Sequence, residues 1–173
     1  IRSSMEIFPR DIYSFNSSSH VGRFKNGSIV DFGYCAYESD VYQYQSAEYD
    51  QIRFDELTHF TEGQYLYLIS RLRGANRFPK QVKSSTNPGG IGHGWVKERF
   101  ITAAPPLTRI KQTVNVNFPD GTVKEMIRHR IFVPSTPDFT YGRVKEEWDG
   151  WSYCVLERMG LPMYFSSENG VLF

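Results

Sequence analysis

A chain of 173 residues has room for one domain with a sizeable core but not for two full domains. Its 20 basic and 19 acidic side chains leave a net charge of +1, which excludes a strongly basic protein that coats nucleic acid. The aromatic content of 16% excludes wholesale disorder.

The cysteines and the lengths of the apolar runs indicate the cellular compartment. Cys35 and Cys154 are isolated in the sequence, so neither a disulfide scaffold nor a structural zinc site is expected, and a reducing cytoplasm is. No run approaches the roughly 18 consecutive apolar residues that indicate a membrane span, and the first residues lack the pattern of an export signal. These features predict a soluble protein with no membrane partner.

The first clear pattern in the chain is a β-hairpin. Two β-rich segments, residues 21–24 and 29–32, flank Asn26-Gly27. Asn-Gly accepts positive φ at both central positions of a tight turn, so the pattern predicts a hairpin with a two-residue turn.

A strand, a helix and a second strand follow in that order. The first strand is predicted for residues 49–54, the helix for residues 61–73 and the second strand for residues 81–86. Thr61 is a suitable N-cap for the helix, with Gln64 at the capping-box position. The order predicts a parallel α/β unit, in which ligands bind beyond the carboxyl ends of the strands.

The rest of the chain carries weaker patterns. Residues 95–101 predict a short helix, and residues 108–116 and 123–133 predict strands joined by a turn at residues 119–121. Residues 137–173 carry no pattern that predicts an element.

Acidic side chains follow the first strand at the predicted ligand edge. A strand that ends in two carboxylates, here Asp55 and Glu56, is typical of a Walker B site. The first carboxylate holds Mg²⁺, usually through water, and the second orients or deprotonates the water that attacks the γ-phosphate. Taken alone, such a pair is more often a solvated turn, and Arg53 interrupts the apolar strand that a buried site requires.

Hydroxyl and amide side chains end the second strand at the same edge. Groups such as those of Thr86 and Asn87 sense the γ-phosphate in motor ATPases and pass the change to a moving element. The Asn-Pro-Gly-Gly sequence that begins at Asn87 is also typical of a simple turn, and both interpretations can hold. On the intervening helix, Arg71 and Arg73 lie on different faces, so one could reach a phosphate while the other faces solvent or a partner subunit.

The glycine-rich segment at residues 89–94 does not qualify as a phosphate loop. The dinucleotide fingerprint would require Gly where Trp95 stands, and GxxxxGK[ST] is absent from the chain. The segment therefore predicts a flexible loop that acts as a lid or hinge. His59 and His93 are expected to be structural or solvated.

Four ordered motifs resemble the large terminase subunit of bacteriophages, the ATPase of the viral DNA-packaging motor. The resemblance covers residues 20–101 and extends more weakly to residues 131–134. The motifs are a hairpin at 24–29, the Walker B region at 44–60, an arginine segment at 70–74, and a coupling motif with its following helix at 85–100.

The resemblance implies a fold and a site. The fold is α/β, a partial P-loop NTPase-like (ASCE) parallel sheet with flanking helices and a β-hairpin. By resemblance, Asp55 takes the Mg²⁺ role, Glu56 is the catalytic base, and Thr86 and Asn87 bind ATP and couple its hydrolysis to motion.

The resemblance also implies catalytic arginines and partners. Arg71 and Arg73 would act in catalysis. The partners would be double-stranded viral DNA, the portal protein, the small terminase subunit and other copies of the chain in a ring, all in the host cytoplasm. Residues 1–136 would form the C-terminal part of the ATPase domain, and residues 137–173 do not match the family.

The chain departs from the family in ways that keep two other functions open. The Walker A loop is expected before residue 1, the nuclease domain is missing, and Ser46 stands where the family commonly has Gly, so the chain alone is expected to be inactive as an ATPase. One alternative is a non-catalytic binding or assembly module. The other is a metal-dependent nuclease, which needs convergent carboxylates; the available ones are Asp31, Asp55, Glu56 and Asp120.

Overall fold

The structure, a computed structural model, describes residues 6–117, 121–135 and 152–159. Their contacts divide the chain into two units, residues 1–40 and residues 41–173.

The first unit holds a three-stranded antiparallel sheet in the order β1-β2-β3. The strands are β1 (Tyr13–Asn16), β2 (Val21–Phe24) and β3 (Ile29–Asp31). The buried Tyr13 ring packs against Phe24 at 4.8 Å between centroids and covers the backbone of Gly22, where a Cβ would overlap the ring. Gly22 is therefore required for this packing.

The hairpin predicted around Asn26-Gly27 is confirmed, but its turn differs from the expected one. β2 and β3 pair antiparallel, with Arg23 opposite Ile29. Gly27 donates to the Phe24 carbonyl at 3.0 Å, and only Gly27, with φ 88°, has the positive φ expected of both residues. The connection is thus a three-residue loop whose last residue is left-handed, which suits Gly as well as a two-residue turn does.

The second unit is mixed α/β and holds a five-stranded sheet in the order β4-β5-β8-β7-β6. Only β4 and β5 are parallel, with Phe54 opposite Ser84, and the other pairs are antiparallel. The sheet is therefore not the parallel sheet that the sequence led us to expect. Its strands are β4 (Gln51–Phe54), β5 (Lys80–Thr86), β6 (Ile110–Asn117), β7 (Val123–Ser135) and β8 (Ser152–Met159).

The strand β8 comes from residues for which the sequence predicts no element. It lies between β5 and β7, with Tyr153 opposite Thr86 and Ser152 opposite Ser135. The antiparallel pairing of β6 with β7 confirms the two strands predicted there, and most of the turn predicted between them lies outside the described residues.

The helix α1 (Glu62–Ile69) connects β4 to β5. Its capping box is confirmed: Gln64 N donates to the Thr61 hydroxyl at 3.2 Å, and Thr61 N donates to Gln64 Oε1 at 2.9 Å. The helix ends four residues before the predicted end at residue 73. After Ile69 the last turn tightens: Arg71 N donates to the Leu68 carbonyl at 2.9 Å, and the Ser70 hydroxyl donates to the Tyr67 carbonyl at 2.6 Å.

Shorter helical elements lie before and after α1 among the described residues. A 3₁₀ helix spans Glu38–Tyr44, and a second one spans Leu57–His59 directly after the acidic pair. The helix predicted for residues 95–101 begins earlier, as α2 (His93–Val96), and continues as a π-helical turn over Lys97–Ile101. Within the described part of the chain, no helix is long and apolar enough to cross a membrane.

Aromatic rings join α1 to the strand and to the helix beside it. Tyr65 of α1 is fully buried and lies 5.3 Å from Phe54 of β4 and 5.0 Å from Trp95 of α2, centroid to centroid. Phe100, also fully buried, lies edge-on to Tyr65 at 6.3 Å. The rings therefore fix the end of β4, and with it the acidic pair, against two helices.

The capping box makes the first testable contribution to stability. Thr61→Ala is expected to lower the free energy of unfolding by about 1 kcal/mol, because it leaves a helix N–H without its acceptor. Thr61→Ser keeps the hydroxyl and should lose much less. Urea denaturation followed by circular dichroism measures both variants, and equal losses would contradict the role of the hydroxyl.

The amino ends of β4 and β5 are joined by an ion pair between Asp50 and Lys80. The hydrogen bond from Lys80, helped by Asn76, holds the pKa of Asp50 below its ordinary value of 3.8. A carboxylate with a lowered folded pKa stabilises the fold above its unfolded pKa, and that contribution disappears as the pH falls through the folded pKa.

Asp50→Asn is therefore expected to destabilise the chain near pH 7, and the difference should shrink as the pH falls below the ordinary pKa of 3.8. The loss should stay below about 1 kcal/mol, because the Asp50 side chain is 40% exposed. Urea titrations of both proteins across this pH range measure the difference. Glu125→Gln, a change of an exposed carboxylate on β7, is the control, and a difference that does not shrink in acid would contradict the assignment.

Candidate functional site

The acidic pair lies at the carboxyl end of β4, beside the carboxyl end of β5. Phe54 is the last residue of β4, so the side chains of Asp55 and Glu56 meet the residues that end β5. The Asp55 carboxylate is exposed and accepts a hydrogen bond from the Ser85 hydroxyl at 3.3 Å. Asp55 thus presents a carboxylate to solvent beside a hydroxyl that helps to orient it.

Glu56 is held in one orientation by a single neighbour. The backbone N–H of Asn87 donates to Glu56 Oε2 at 3.1 Å, and the Asn87 side-chain amide donates to Oε1 at 3.2 Å. The structure therefore brings together the four residues expected at this edge: Asp55, Glu56, Thr86 and Asn87.

The backbone of Glu56 is left-handed, with φ 53° and ψ 64°. This conformation costs a residue other than Gly on the order of 1–3 kcal/mol, and it persists only where the surrounding contacts demand it. Here it turns the chain sharply after Asp55, so that both oxygens of Glu56 reach Asn87. Strain of this kind is frequent at functional sites.

The turn that follows Glu56 is fastened to β5 by two buried threonines, which are 1% and 4% exposed. The backbone N–H of Thr58 donates to the Thr86 hydroxyl at 3.0 Å, and the two hydroxyl oxygens lie 2.8 Å apart. The Thr58 hydroxyl also donates to the Asn87 carbonyl at 2.9 Å. Thr86 is therefore a structural partner of the turn, because its side chain is buried against Thr58.

The glycine-rich segment packs on this same turn. Gly92 N donates to the Thr58 carbonyl at 2.7 Å, and a Cβ on Gly90 or Gly92 would overlap the carbonyl oxygen of Thr58 or Phe60. These glycines are needed because the two backbones approach closely here. The prediction of a flexible loop gave them a different reason. His93 acts structurally here, because its Nδ1 accepts the Gly89 N–H at 2.9 Å.

The two arginines lie at the opposite end of β4. The guanidinium groups of Arg71 and Arg73 both donate to the Gln45 carbonyl, and the Arg71 carbonyl accepts the Tyr49 N–H at 3.0 Å. Arg73 also pairs with Glu48 at 3.8 Å. The length of β4, about 13 Å at 3.3 Å per residue, separates this end from the acidic pair, so the structure does not bring the arginines to it.

The exposed carboxylate of Asp55 suits a metal ion that takes its other ligands from water and from a bound substrate. Across the described ranges, no group of three or more His, Cys, Asp or Glu side chains is placed to hold a metal. The convergent carboxylates that a nuclease requires are thus absent from those ranges, and Asp120 lies outside them. Mg²⁺ commonly takes one or two carboxylates, water and substrate phosphates, which the exposed Asp55 beside Ser85 fits.

Two residues of this edge carry no signal in the sequence strong enough to single them out. Ser85 belongs to the polar end of β5, but its contact with Asp55 depends on the parallel register. Thr58 follows the acidic pair as an ordinary polar residue, and only the fold buries it.

Comparison of the chain with models of protein families, with curated proteins and with solved structures finds no match. A function must therefore be argued from the geometry of the edge and from the order of the sequence motifs.

The contribution of the Thr58–Thr86 pair to stability can be measured, with another hydroxyl of β5 as the control. Thr86→Val leaves the Thr58 N–H buried without its acceptor, so a loss of about 1–3 kcal/mol of stability is expected. Thr86→Ser should recover most of it.

Ser84→Ala is the matched control, because Ser84 is buried on β5 and its hydroxyl has no hydrogen-bond partner among the described residues. Its removal should be neutral or stabilising. Chemical denaturation of the three variants measures these effects, and equal losses for Ser84→Ala and Thr86→Val would refute the pairing.

Proposed function

We propose that the chain is part of the ATPase of a viral DNA-packaging motor, a terminase large subunit. The observation that carries the proposal is the hydrogen bonding of Glu56 to Asn87, with Asp55 beside them bonded to Ser85, at the carboxyl ends of two parallel strands. This is where α/β folds bind ligands, and two of the four motifs of the sequence, the Walker B region and the coupling motif, meet at this edge.

The two carboxylates of the edge each have a place in phosphoryl transfer. Asp55 would hold Mg²⁺, with the Ser85 hydroxyl orienting its carboxylate. An ion held there would supply positive charge to the phosphate oxygens. Glu56 orients the attacking water and accepts its proton.

Asn87 couples the reaction to motion in this proposal. Because its backbone and its side chain each hold one oxygen of Glu56, a shift of Asn87 on contact with the γ-phosphate changes the orientation of the base. The same shift moves the end of β5, to which the Thr58 turn is bonded. Reaction and movement then share one residue.

The rest of the proposal rests on the sequence resemblance. A phosphate loop with a P-loop NTPase-like (ASCE) arrangement is needed to complete the ATP site, and GxxxxGK[ST] does not occur in this chain. The motor would pass double-stranded viral DNA through the portal into a procapsid, as a ring of copies with the small terminase subunit, in the host cytoplasm. Arg71 and Arg73, which lie away from the acidic pair of their own chain, would act only on a neighbouring subunit.

One observation favours a second candidate, a non-catalytic binding or assembly module. The strand beside β5 is β8, which runs antiparallel and places its amino end, near Tyr153, next to Thr86. Beyond those of β4 and β5, it therefore brings no further carboxyl end to the edge where a phosphate loop would stand. Under this alternative, Asp55→Ala and Glu56→Ala leave the function intact.

The test uses a longer protein in which a GxxxxGK[ST] segment precedes this chain in frame. Glu56→Gln should lower ATP turnover by about 10²–10⁴-fold and leave nucleotide binding largely unchanged, because it removes the base and keeps the shape. Glu62→Gln, a change of an exposed carboxylate on α1, is the control.

The present chain by itself should not turn over ATP at the rate of a motor. Glu56-dependent hydrolysis by this chain alone would overturn the prediction that its ATP site is incomplete. Unchanged turnover in Glu56→Gln of the longer protein would favour the binding module.

A further inference from the structure

Thr58 is a polar residue at the centre of the site that the proposed chemistry does not use. It is 1% exposed, and each of its polar groups makes a hydrogen bond within the protein. Its N–H and its hydroxyl bond to the end of β5, and its carbonyl accepts the N–H of Gly92, the residue that caps α2. Thr58 is thus bonded both to the end of β5 and to the start of α2.

A second bond ties the same turn to α2. The Trp95 indole N–H donates to the Phe60 carbonyl at 2.9 Å, and the absence of a side chain on Gly92 lets the two backbones approach closely. The turn and the start of α2 are therefore expected to move as one piece.

The hydroxyls of Thr58 and Thr86 have two ways to share their protons. Each hydroxyl lies within hydrogen-bond distance of the Asn87 carbonyl, at 2.9 Å and 3.1 Å, and they lie 2.8 Å from each other. A hydroxyl donates one proton, so one threonine donates to the carbonyl while the other donates to its neighbour. When Thr58 donates to the carbonyl, Asn87 is bonded to the turn after Glu56; when Thr86 donates, Asn87 is bonded to its own strand, β5.

We propose that Thr58 is a positioning residue that links the Glu56–Asn87 contact to helix α2. Its hydroxyl, in exchange with that of Thr86, bonds to the Asn87 carbonyl, and its own carbonyl bonds to Gly92 at the start of α2. The inference rests on the proposed function for its role in a motor. Asn87 holds Glu56 with its backbone N–H and its amide, and its carbonyl is the group that Thr58 binds. A change at Glu56 thus reaches Gly92 through Asn87 and Thr58.

The test measures by NMR the chemical shifts of the Gly92 amide and the Trp95 indole N–H. It uses the full chain without nucleotide. Glu56→Gln perturbs the contact with Asn87, and it should shift the Gly92 amide and the Trp95 indole resonances. In a Thr58→Val background the same change should give less than about half of that shift, because the hydroxyl link is gone.

Rescue and control variants separate coupling from stability. Thr58→Ser keeps the hydroxyl and should retain the full response to Glu56→Gln, whereas Thr58→Ala should lose it, as Thr58→Val does. Ser84→Ala, which removes a buried hydroxyl outside the network, should leave the response unchanged.

An equal response in the Thr58→Ala and Thr58→Ser backgrounds would overturn the proposal even if Thr58→Val fails to fold. No response to Glu56→Gln in the parent chain would overturn it as well. Because the experiment uses no ATP, its failure is distinct from a failure of the ATPase assay in the longer protein.

Discussion

The buried N–H of Thr58 is the constraint on which the candidate site depends. A backbone donor in this position must find a partner inside the protein, and the first turn of a 3₁₀ helix supplies none. The Thr86 hydroxyl accepts this N–H at 3.0 Å and thereby sets the distance between the turn after β4 and the end of β5. Asp55 and Glu56 lie between the strand and this joint, so their carboxylates are placed against Ser85 and Asn87.

The features that the sequence predicted correctly are those with a local chemical cause. The hairpin at Asn26-Gly27 follows from the backbone freedom of glycine, and the start of α1 follows from two side chains three residues apart. The meeting of Asp55-Glu56 with the end of β5 needed only one further step, because parallel strands joined by a helix place their carboxyl ends at one edge.

The features that it missed depend on partners far apart in the chain. β8 takes its place between β5 and β7 through pairing that no local pattern specifies. The faces of Arg71 and Arg73 were inferred for a helix that continues, but the helix ends at Ile69, and both guanidinium groups return to the Gln45 carbonyl. The glycines at 90 and 92 are explained by the backbone that they touch, which the sequence does not display.

The two ends of the β4–β5 pair differ in what their polar groups do. At the amino end, charged side chains pair near solvent, as Asp50 does with Lys80, and such pairs contribute modestly to stability. At the carboxyl end, a glutamate keeps a left-handed backbone, although a glycine would adopt that conformation at less cost. A turn that served only to reverse the chain would not need a carboxylate there. The strain at Glu56 is accounted for by its two bonds to Asn87, which hold both oxygens of the carboxylate at the carboxyl end of the strand pair.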